Sequence, residues 1–203
     1  MVLEAFRQGA DGVIIGGCHP GDCHYEEGNY QAEKKVKCTK KILGLEGIEE
    51  KRVKLAWVSA SEGKKWAEVV NSFTKKVREM GPLPKEEEDK MSLLKEVASE
   101  SRVRSLISKE REITELGNVY GETVPQDEFD DLLEEAIEKA HHVRRILKEM
   151  KKEPRSAKEI SRLQDIDSEK AVNLIVDLKR KGRVELSTVD GTSPKYIWRE
   201  SQR

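Results

Sequence analysis

The stretch GVIIGGCHPGDCHYEEGNY, residues 12–30, places an apolar run directly before a glycine-rich loop that holds two cysteines and two histidines. The run has the length of a buried strand, and the glycines at its carboxyl end favour a tight turn. Helical periodicity resumes at Tyr30. This order of strand, loop and helix indicates an α/β domain, in which ligands bind where the chain leaves a parallel strand.

Residues 1–82 alternate between predicted helices and strands. Helices are expected over residues 1–8, 29–47 and 61–81, and strands over 12–17 and 52–59. Strands separated by helices of this length predict a parallel sheet with right-handed crossovers. Trp57 and Trp66 fall on the second strand and the facing helix, which favours core packing over base stacking. Residues 1–82 are therefore expected to form a partial α/β parallel-sheet domain.

The middle of the chain is predicted to be helical and acidic. Residues 83–90 combine chain breakers with an acidic run and predict a linker. Residues 91–140 contain 6 basic and 13 acidic side chains, with helices expected over 91–117 and from Asp127 to residue 153. We expect a solvated helical spacer, whose negative charge could also attract the basic end of the chain.

Residues 141–203 carry 16 basic and 10 acidic side chains and follow the order of a winged helix-turn-helix domain. A capping box at Ser156 and Glu159 begins one helix, and a second runs from Asp167 to Gly182 before a predicted hairpin. The charge would suit DNA. However, Asp167, Glu169 and Asp177 on the second helix would repel phosphate, which favours a protein-docking module and leaves DNA binding open. Trp198, at the end of the wing, is open between packing and stacking.

The three cysteines do not indicate a disulfide framework, because their number is odd and no secretion signal precedes them. Cys18 and Cys23 have the spacing of the first cysteine pair in plant-type ferredoxins. Structural zinc sites more often use closer pairs, so zinc is less favoured but stays open. Incidental cysteines in a glycine-rich turn, or a catalytic thiol with a histidine base, also stay open. Cys38 lies on the lysine-rich helix and is expected to be a structural or surface thiol.

Three polar residues accompany the cysteine pair. His19 and His24 are expected either as ligands or as hydrogen-bonding and proton-accepting neighbours of the ligands. Asp22, inside the loop, is expected to be such a neighbour. We therefore predict metal or cofactor ligands at Cys18 and Cys23, with His19, Asp22 and His24 around them.

From about Met1 to Pro82 the chain resembles a known family through two segments, GADGVIIGGCHPGDCHYEEGNYQAEKKV and RVKLAWVSASEGKKWAEVVNSF. They are similar to the iron-sulfur delta subunit of methyl-viologen-reducing hydrogenase, the F420-non-reducing hydrogenase of methanogens and their relatives. The residues that fit the pattern are Gly17, Cys18, His19, Gly21, Asp22, Cys23, His24, Tyr25, Gly28, Asn29 and Tyr30. The resemblance implies a [2Fe-2S] cluster with Cys18 and Cys23 as ligands. It also implies electron transfer between a hydrogenase or formate dehydrogenase and heterodisulfide reductase.

One departure from the family leaves that cluster incomplete. Family members have roughly fifty further residues ahead of this part, with a strand, a helix and more cysteines. A cysteine-ligated cluster takes four thiolates, and this loop offers two. We therefore expect that another chain completes the site or that Met1 is not the true start, through a split gene or a stop codon read as selenocysteine. A degenerate subunit without a cluster is the third possibility.

The composition limits the function classes. No apolar run approaches the roughly 20 residues that span a bilayer, and the amino terminus lacks the regions of a signal peptide. A cytoplasmic protein without a membrane partner is expected. The sequence thus predicts a non-catalytic electron-transfer iron-sulfur subunit, which makes and breaks no substrate bond. The alternative is a redox- or metal-sensing winged-helix regulator that binds DNA.

Overall fold

The computed structural model describes residues 1–84 and 88–199. The chain divides into two compact units, one from Met1 to Glu138 and one from Lys139 onward. The first contains a two-stranded parallel sheet among helices, and the second contains a three-stranded antiparallel sheet among helices. In the part of the chain that is described, none of the helices has the length and apolar character that crossing a membrane requires.

Residues 1–81 form the predicted alternation of helices and strands. The elements are α1 Val2–Arg7, β1 Val13–Gly17, α2 Gly28–Gly44, β2 Val53–Trp57 and α3 Gly63–Met80. β1 and β2 pair in parallel from Val13 opposite Val53 to Gly17 opposite Trp57. The prediction of a parallel sheet is confirmed. Both strands end at the same edge, where the glycine-rich loop leaves β1.

Two glycines of β1 permit close contact with aromatic side chains. A Cβ atom on Gly17 would lie 2.6 Å from Cζ3 of Trp57, and one on Gly16 would lie 3.3 Å from the ring of Trp66. Both rings therefore contact the strand, but the predicted core position is wrong for Trp66, which is 37% exposed, and Trp57 is only half-buried. At the opposite end of the sheet, the buried Arg52 donates to the carbonyl oxygens of Asp11 (3.0 Å) and Gly81 (2.9 Å).

The middle of the chain contains more helices than the sequence indicated. The elements are α4 Glu88–Ala98, α5 Ser101–Arg111, a π-helical turn at Glu112–Leu116 and α6 Gln126–Lys152. The single helix expected over 91–117 is wrong, because the chain breaks at Ser99 and Glu100. Ser99 Oγ donates back to the carbonyl oxygen of Lys95 at 2.7 Å, and Glu100 is extended. A serine hydroxyl that competes for a helical carbonyl in this way favours a helix end.

The linker expected over 83–90 is wrong in its last three residues, which begin α4. Residues 85–87 of that prediction lie outside the described residues. The apolar face of α4 begins at Met91, and the charged residues 88–90 extend the same helix toward its amino terminus.

The helices of residues 88–138 are packed into the first unit, so the prediction that they form a solvated spacer is wrong. Their almost fully buried side chains are Met91, Leu94, Val97, Val103, Phe129, Leu133 and Ile137. Their acidic groups meet the lysines of α2: Lys37 pairs with Asp130 (2.7 Å) and Lys41 with Glu134 (2.6 Å). The negative charge of this region is thus directed at α2. The boundaries at 82 and 140 stay predictions.

The second unit is built from the end of α6 and five further elements: β3 Arg155–Ser156, α7 Ala157–Gln164, α8 Ser168–Arg180, β4 Val184–Asp190 and β5 Ser193–Trp198. The predicted capping box forms, because Glu159 N–H donates to Ser156 Oγ (3.3 Å) and Ser156 N–H donates to Glu159 (2.7 Å). Asp167 caps α8, also as predicted. β5 lies between β3 and β4, and all pairs are antiparallel.

The core of this unit combines three helices with the hairpin. Its buried members are Ile146, Leu147, Met150, Ile160, Ala171, Leu174, Ile175, Leu178 and Val184. Trp198 packs against this cluster, with the ammonium of Lys151 4.9 Å from the centre of its ring. The structure therefore assigns Trp198 to packing.

Candidate functional site

The loop over residues 18–27 begins at the carboxyl end of β1 and contacts the segment that follows β2. His19 Nε2 lies 2.7 Å from Glu62 Oε2, and the same oxygen accepts from the backbone N–H of Ser59 at 2.8 Å. Carboxyl ends of neighbouring parallel strands share one edge of a sheet, where open α/β folds bind ligands. His19 is thus held in place by Glu62, which lies in the loop after β2.

Glu62 is held as an anion at this edge. The Ser59 N–H and then His19 stabilise its charged form and lower its pKa to about 2. Lys65 adds a further contact at 3.3 Å. A carboxylate that accepts two hydrogen bonds orients its donors, so Glu62 fixes the ring plane of His19.

The backbone of the loop is shaped by a turn and by one buried amide. The N–H of Asp22 donates to the carbonyl oxygen of His19 (2.9 Å), and Gly21 within that turn has a φ of 91°, which side chains other than hydrogen rarely tolerate. The buried Asn29 donates from Nδ2 to the same His19 carbonyl at 2.8 Å. The start of α2 therefore anchors the start of the loop.

Cys18 and Cys23 occupy different environments. Cys18 is exposed directly after β1, whereas Cys23 is half-buried. A Cβ atom on Gly28, the first residue of α2, would lie 3.1 Å from Cys23 Sγ. The missing side chain leaves room for the sulfur beside the first turn of α2. Cys23 thus lies against the start of α2, and Cys18 is accessible from solvent.

Cys38 cannot join these two thiols. It lies ten residues beyond Gly28 on α2, about 15 Å along the helix axis. Its side chain is 2% exposed, and burial raises the pKa of the thiol to about 12. Of the two roles expected for Cys38, the structure shows the buried structural thiol and not the surface thiol. The chain therefore brings two of its three cysteines to the loop.

The other predicted site residues, Asp22 and His24, lie on the exposed part of the loop. Asp22 is exposed, and His24 contacts the exposed Tyr25 edge-on, with ring centres 5.2 Å apart. Across residues 1–84 and 88–199, the histidine, cysteine and carboxylate side chains form no group of three that could hold a metal ion. The loop therefore fits a metal cluster in part: two thiols and a helix amino terminus are present, and half of a four-thiolate set is missing.

Two residues that contact the loop or its junction with α2 are not predicted from the sequence. Glu62 could have been identified from the shared strand edge, because it follows β2 as the cysteines follow β1. Arg111, at the end of α5, lies 2.8 Å from Glu27 and has its guanidinium 4.5 Å from the centre of the Tyr30 ring. These contacts clamp the junction between the loop and α2 from a helix beyond residue 81. No local sequence signal predicts such a long-range contact.

The amino-terminal part of the chain matches a known protein family. Residues 1–81 match the family model described as methyl-viologen-reducing hydrogenase, delta subunit. Residues 1–81, called the delta-subunit domain from here on, are thus similar to this subunit. The remainder of the chain, including Arg111 and the whole second unit, lies beyond the match.

Individual relatives of the delta-subunit domain fall into two kinds of protein. The chain is 54% identical over 81 residues to an F420-non-reducing hydrogenase iron-sulfur subunit of Archaeoglobus profundus, covering 40% of this chain and 59% of that protein. It is 51% identical over 81 residues to the vhc iron-sulfur subunit of the F420-non-reducing hydrogenase of Methanococcus voltae, covering 40% and 56%. The match is thus to somewhat more than half the length of these curated relatives.

The second kind of relative is a much longer protein. The chain is 40% identical over 85 residues to one subunit of the ferredoxin/F(420)H(2)-dependent CoB-CoM heterodisulfide reductase of Methanosarcina acetivorans. That alignment covers 42% of this chain and 11% of the relative. The delta-subunit domain therefore has counterparts both in separate hydrogenase subunits and within a heterodisulfide reductase polypeptide.

Proposed function

We propose that this chain is an electron-transfer subunit that links a hydrogenase or formate dehydrogenase to heterodisulfide reductase. The observation that carries the proposal is the occurrence of residues 1–81 in relatives of both kinds, the hydrogenase iron-sulfur subunits and the longer heterodisulfide reductase polypeptide. A domain found within a separate hydrogenase subunit in some relatives and within a heterodisulfide reductase polypeptide in another is suited to bridging the two proteins. The chain itself would make and break no substrate bond.

Cys18 and Cys23 are the proposed ligands of a [2Fe-2S] cluster, which when bound supplies one-electron redox chemistry. Support comes from the exposed thiol of Cys18, from the position of Cys23 at the start of α2, and from relatives named as iron-sulfur subunits. His19, held by Glu62, would orient the first part of the loop. Asp22 and His24 are proposed neighbours of the cluster.

The remaining ligands are proposed to come from another polypeptide segment. A four-thiolate cluster needs two more sulfurs, and Cys38 is buried about 15 Å along α2 from the loop. The exposed position of Cys18 suits a site that is completed from outside. The loop would then lie at an interface, with Arg111 holding its end against α5.

We also propose that the second unit is a winged-helix docking module. Its order of helix end, short strand, two helices and hairpin supports this assignment. α8, the helix that would enter a DNA groove, exposes Val172 and Val176 together with Glu169. Apolar and acidic side chains do not suit a phosphate-lined groove, so docking to protein is favoured over the DNA-binding regulator.

The proposal is tested by expressing the tagged full chain with its genomic neighbours and identifying what co-purifies. Hydrogenase or formate dehydrogenase subunits together with heterodisulfide reductase are expected, with iron in the preparation. A Cys18→Ser, Cys23→Ser double variant is expected to lose iron that the matched Cys38→Ser variant keeps, because Cys38 is remote from the loop. A chain that contains no iron, captures neither enzyme and shows salt-dependent binding to DNA would establish the regulator instead.

A further inference from the structure

The outer face of α8 carries an apolar stripe that no element of the second unit covers within its described residues. Val172 and Val176 are 45% and 38% exposed, whereas Ala171, Leu174, Ile175 and Leu178 on the inner face are almost completely buried. Residues four apart lie on one side of a helix, so the two valines form a continuous patch. Their positions are opposite the stripe that fixes α8 in the core, and nothing in the packing of the second unit requires them to be apolar.

The apolar stripe is bounded by charges of opposite sign. Glu169 lies one turn before Val172, and Arg180 lies one turn after Val176, both exposed. At 100° per residue, all four side chains fall within about 80° of the helix circumference. One face of α8 therefore presents, in order, a negative charge, two valines and a positive charge.

We propose that α8 pairs antiparallel with α8 of a second copy of this chain. A two-fold axis midway between Val172 and Val176 places Val172 of one copy opposite Val176 of the other. Measured along the helix, Glu169 then lies about 7.5 Å before the two-fold axis and Arg180 about 9 Å after it. Because the second helix runs in the opposite direction, Glu169 of one copy and Arg180 of the other differ by about 1.5 Å along the helix. Long side chains span that offset easily, so the stripe is complementary to itself in both apolar contact and charge.

A second copy fits this face better than a nucleic acid or an unrelated acidic protein. A phosphate backbone would gain a contact at Arg180 but would also meet Glu169 and two valines, which offer it no favourable contact. An acidic partner would gain from Arg180 and be repelled by Glu169. Only a partner with the reversed charge order satisfies both ends, and an antiparallel copy of the same helix supplies that order. The contact area is small, so we expect a concentration-dependent equilibrium between monomer and dimer.

The pairing is tested by sedimentation analysis of the full chain over a range of concentrations. The wild-type chain is expected to shift from one to two copies as concentration rises. Val176→Asp, which brings charges into the apolar centre on both sides of the axis, is expected to weaken the dimer by roughly two orders of magnitude. Val189→Asp is the matched control, because Val189 is 59% exposed on the hairpin of the same unit.

A charge exchange tests the geometry without depending on the apolar centre. Glu169→Arg alone, and Arg180→Glu alone, are each expected to weaken the dimer about fivefold, because each creates two like-charge contacts per dimer. Combining them restores opposite charges across the axis and is expected to return the affinity to within about twofold of wild type. Circular dichroism confirms that each variant is folded.

Three results would overturn the proposal. They are a wild-type chain that stays monomeric at all concentrations, a Val176→Asp variant that dimerises like wild type, and a double charge variant no tighter than the single ones. DNA binding that Val176→Asp abolishes would assign the face to nucleic acid instead. Because partner capture by the delta-subunit domain is measured separately, failure of the pairing leaves the electron-transfer proposal intact.

Discussion

Gly17 is the position at which an added methyl group should be least tolerated beside the candidate site. Its Cβ would lie 2.6 Å from Cζ3 and 3.0 Å from Cε3 of Trp57, its partner in the parallel register. Carbon atoms in contact are separated by about 3.5–4.0 Å, so the ring must move by roughly 1 Å. Overpacking of this kind costs about 1–3 kcal/mol. We therefore expect Gly17→Ala to lower the free energy of unfolding by that amount.

Urea unfolding followed by circular dichroism measures this effect, and two further variants isolate its cause. Gly44→Ala, which meets no atom within 4 Å at the end of α2, should be neutral or up to about 1 kcal/mol more stable. Adding Trp57→Leu removes the ring, so the double variant should be about 1–2 kcal/mol more stable than the sum of the single changes implies. Single changes whose effects on the free energy of unfolding simply add would refute the close approach of the ring to Gly17. A Gly17→Ala variant within about 0.5 kcal/mol of wild type, the range of an ordinary surface substitution, would refute it as well.

Two further predictions concern titratable groups. Cys38 should resist alkylation by iodoacetamide in the native chain at pH 8, because burial holds its pKa at about 12, whereas the exposed Cys18 should react. Mass spectrometry of labelled peptides distinguishes the two cysteines, and equal labelling would contradict the burial of Cys38. Glu62→Gln should reduce stability at pH 7. Because the folded pKa of Glu62 is about 2, below its unfolded value, the wild-type advantage should be complete above about pH 4.5 and vanish as the pH falls to about 2. Urea midpoints measured across this range test the sign, and a constant difference would contradict it.

The elements that the sequence predicts best are those with a local cause. The capping box at Ser156 and the cap at Asp167 each rest on hydrogen bonds within one helical turn, and both form. The strand before Cys18 follows from a short apolar run closed by glycines. Such features need no knowledge of distant residues, so periodicity and caps suffice to find them.

The features that the sequence does not predict depend on tertiary contacts. The charge pattern of residues 91–140 is that of an exposed helix, but its acids pair with α2 and its apolar side chains enter the first unit's core. Arg111 reaches Glu27 from far along the chain, and its position depends on how α5 packs against α2. Glu62 is intermediate between the locally determined features and the tertiary ones, because the order of the strands alone could place it beside His19.

The central claim is that Cys18 and Cys23 hold part of an iron-sulfur cluster. The most direct measurement is electron paramagnetic resonance and iron analysis of the reduced complex that co-purifies with the full chain. We predict that Cys18→Ser with Cys23→Ser removes one [2Fe-2S] signal and about two iron atoms per copy, while Cys38→Ser leaves both unchanged. Identical spectra and iron contents in the two variants would contradict the claim.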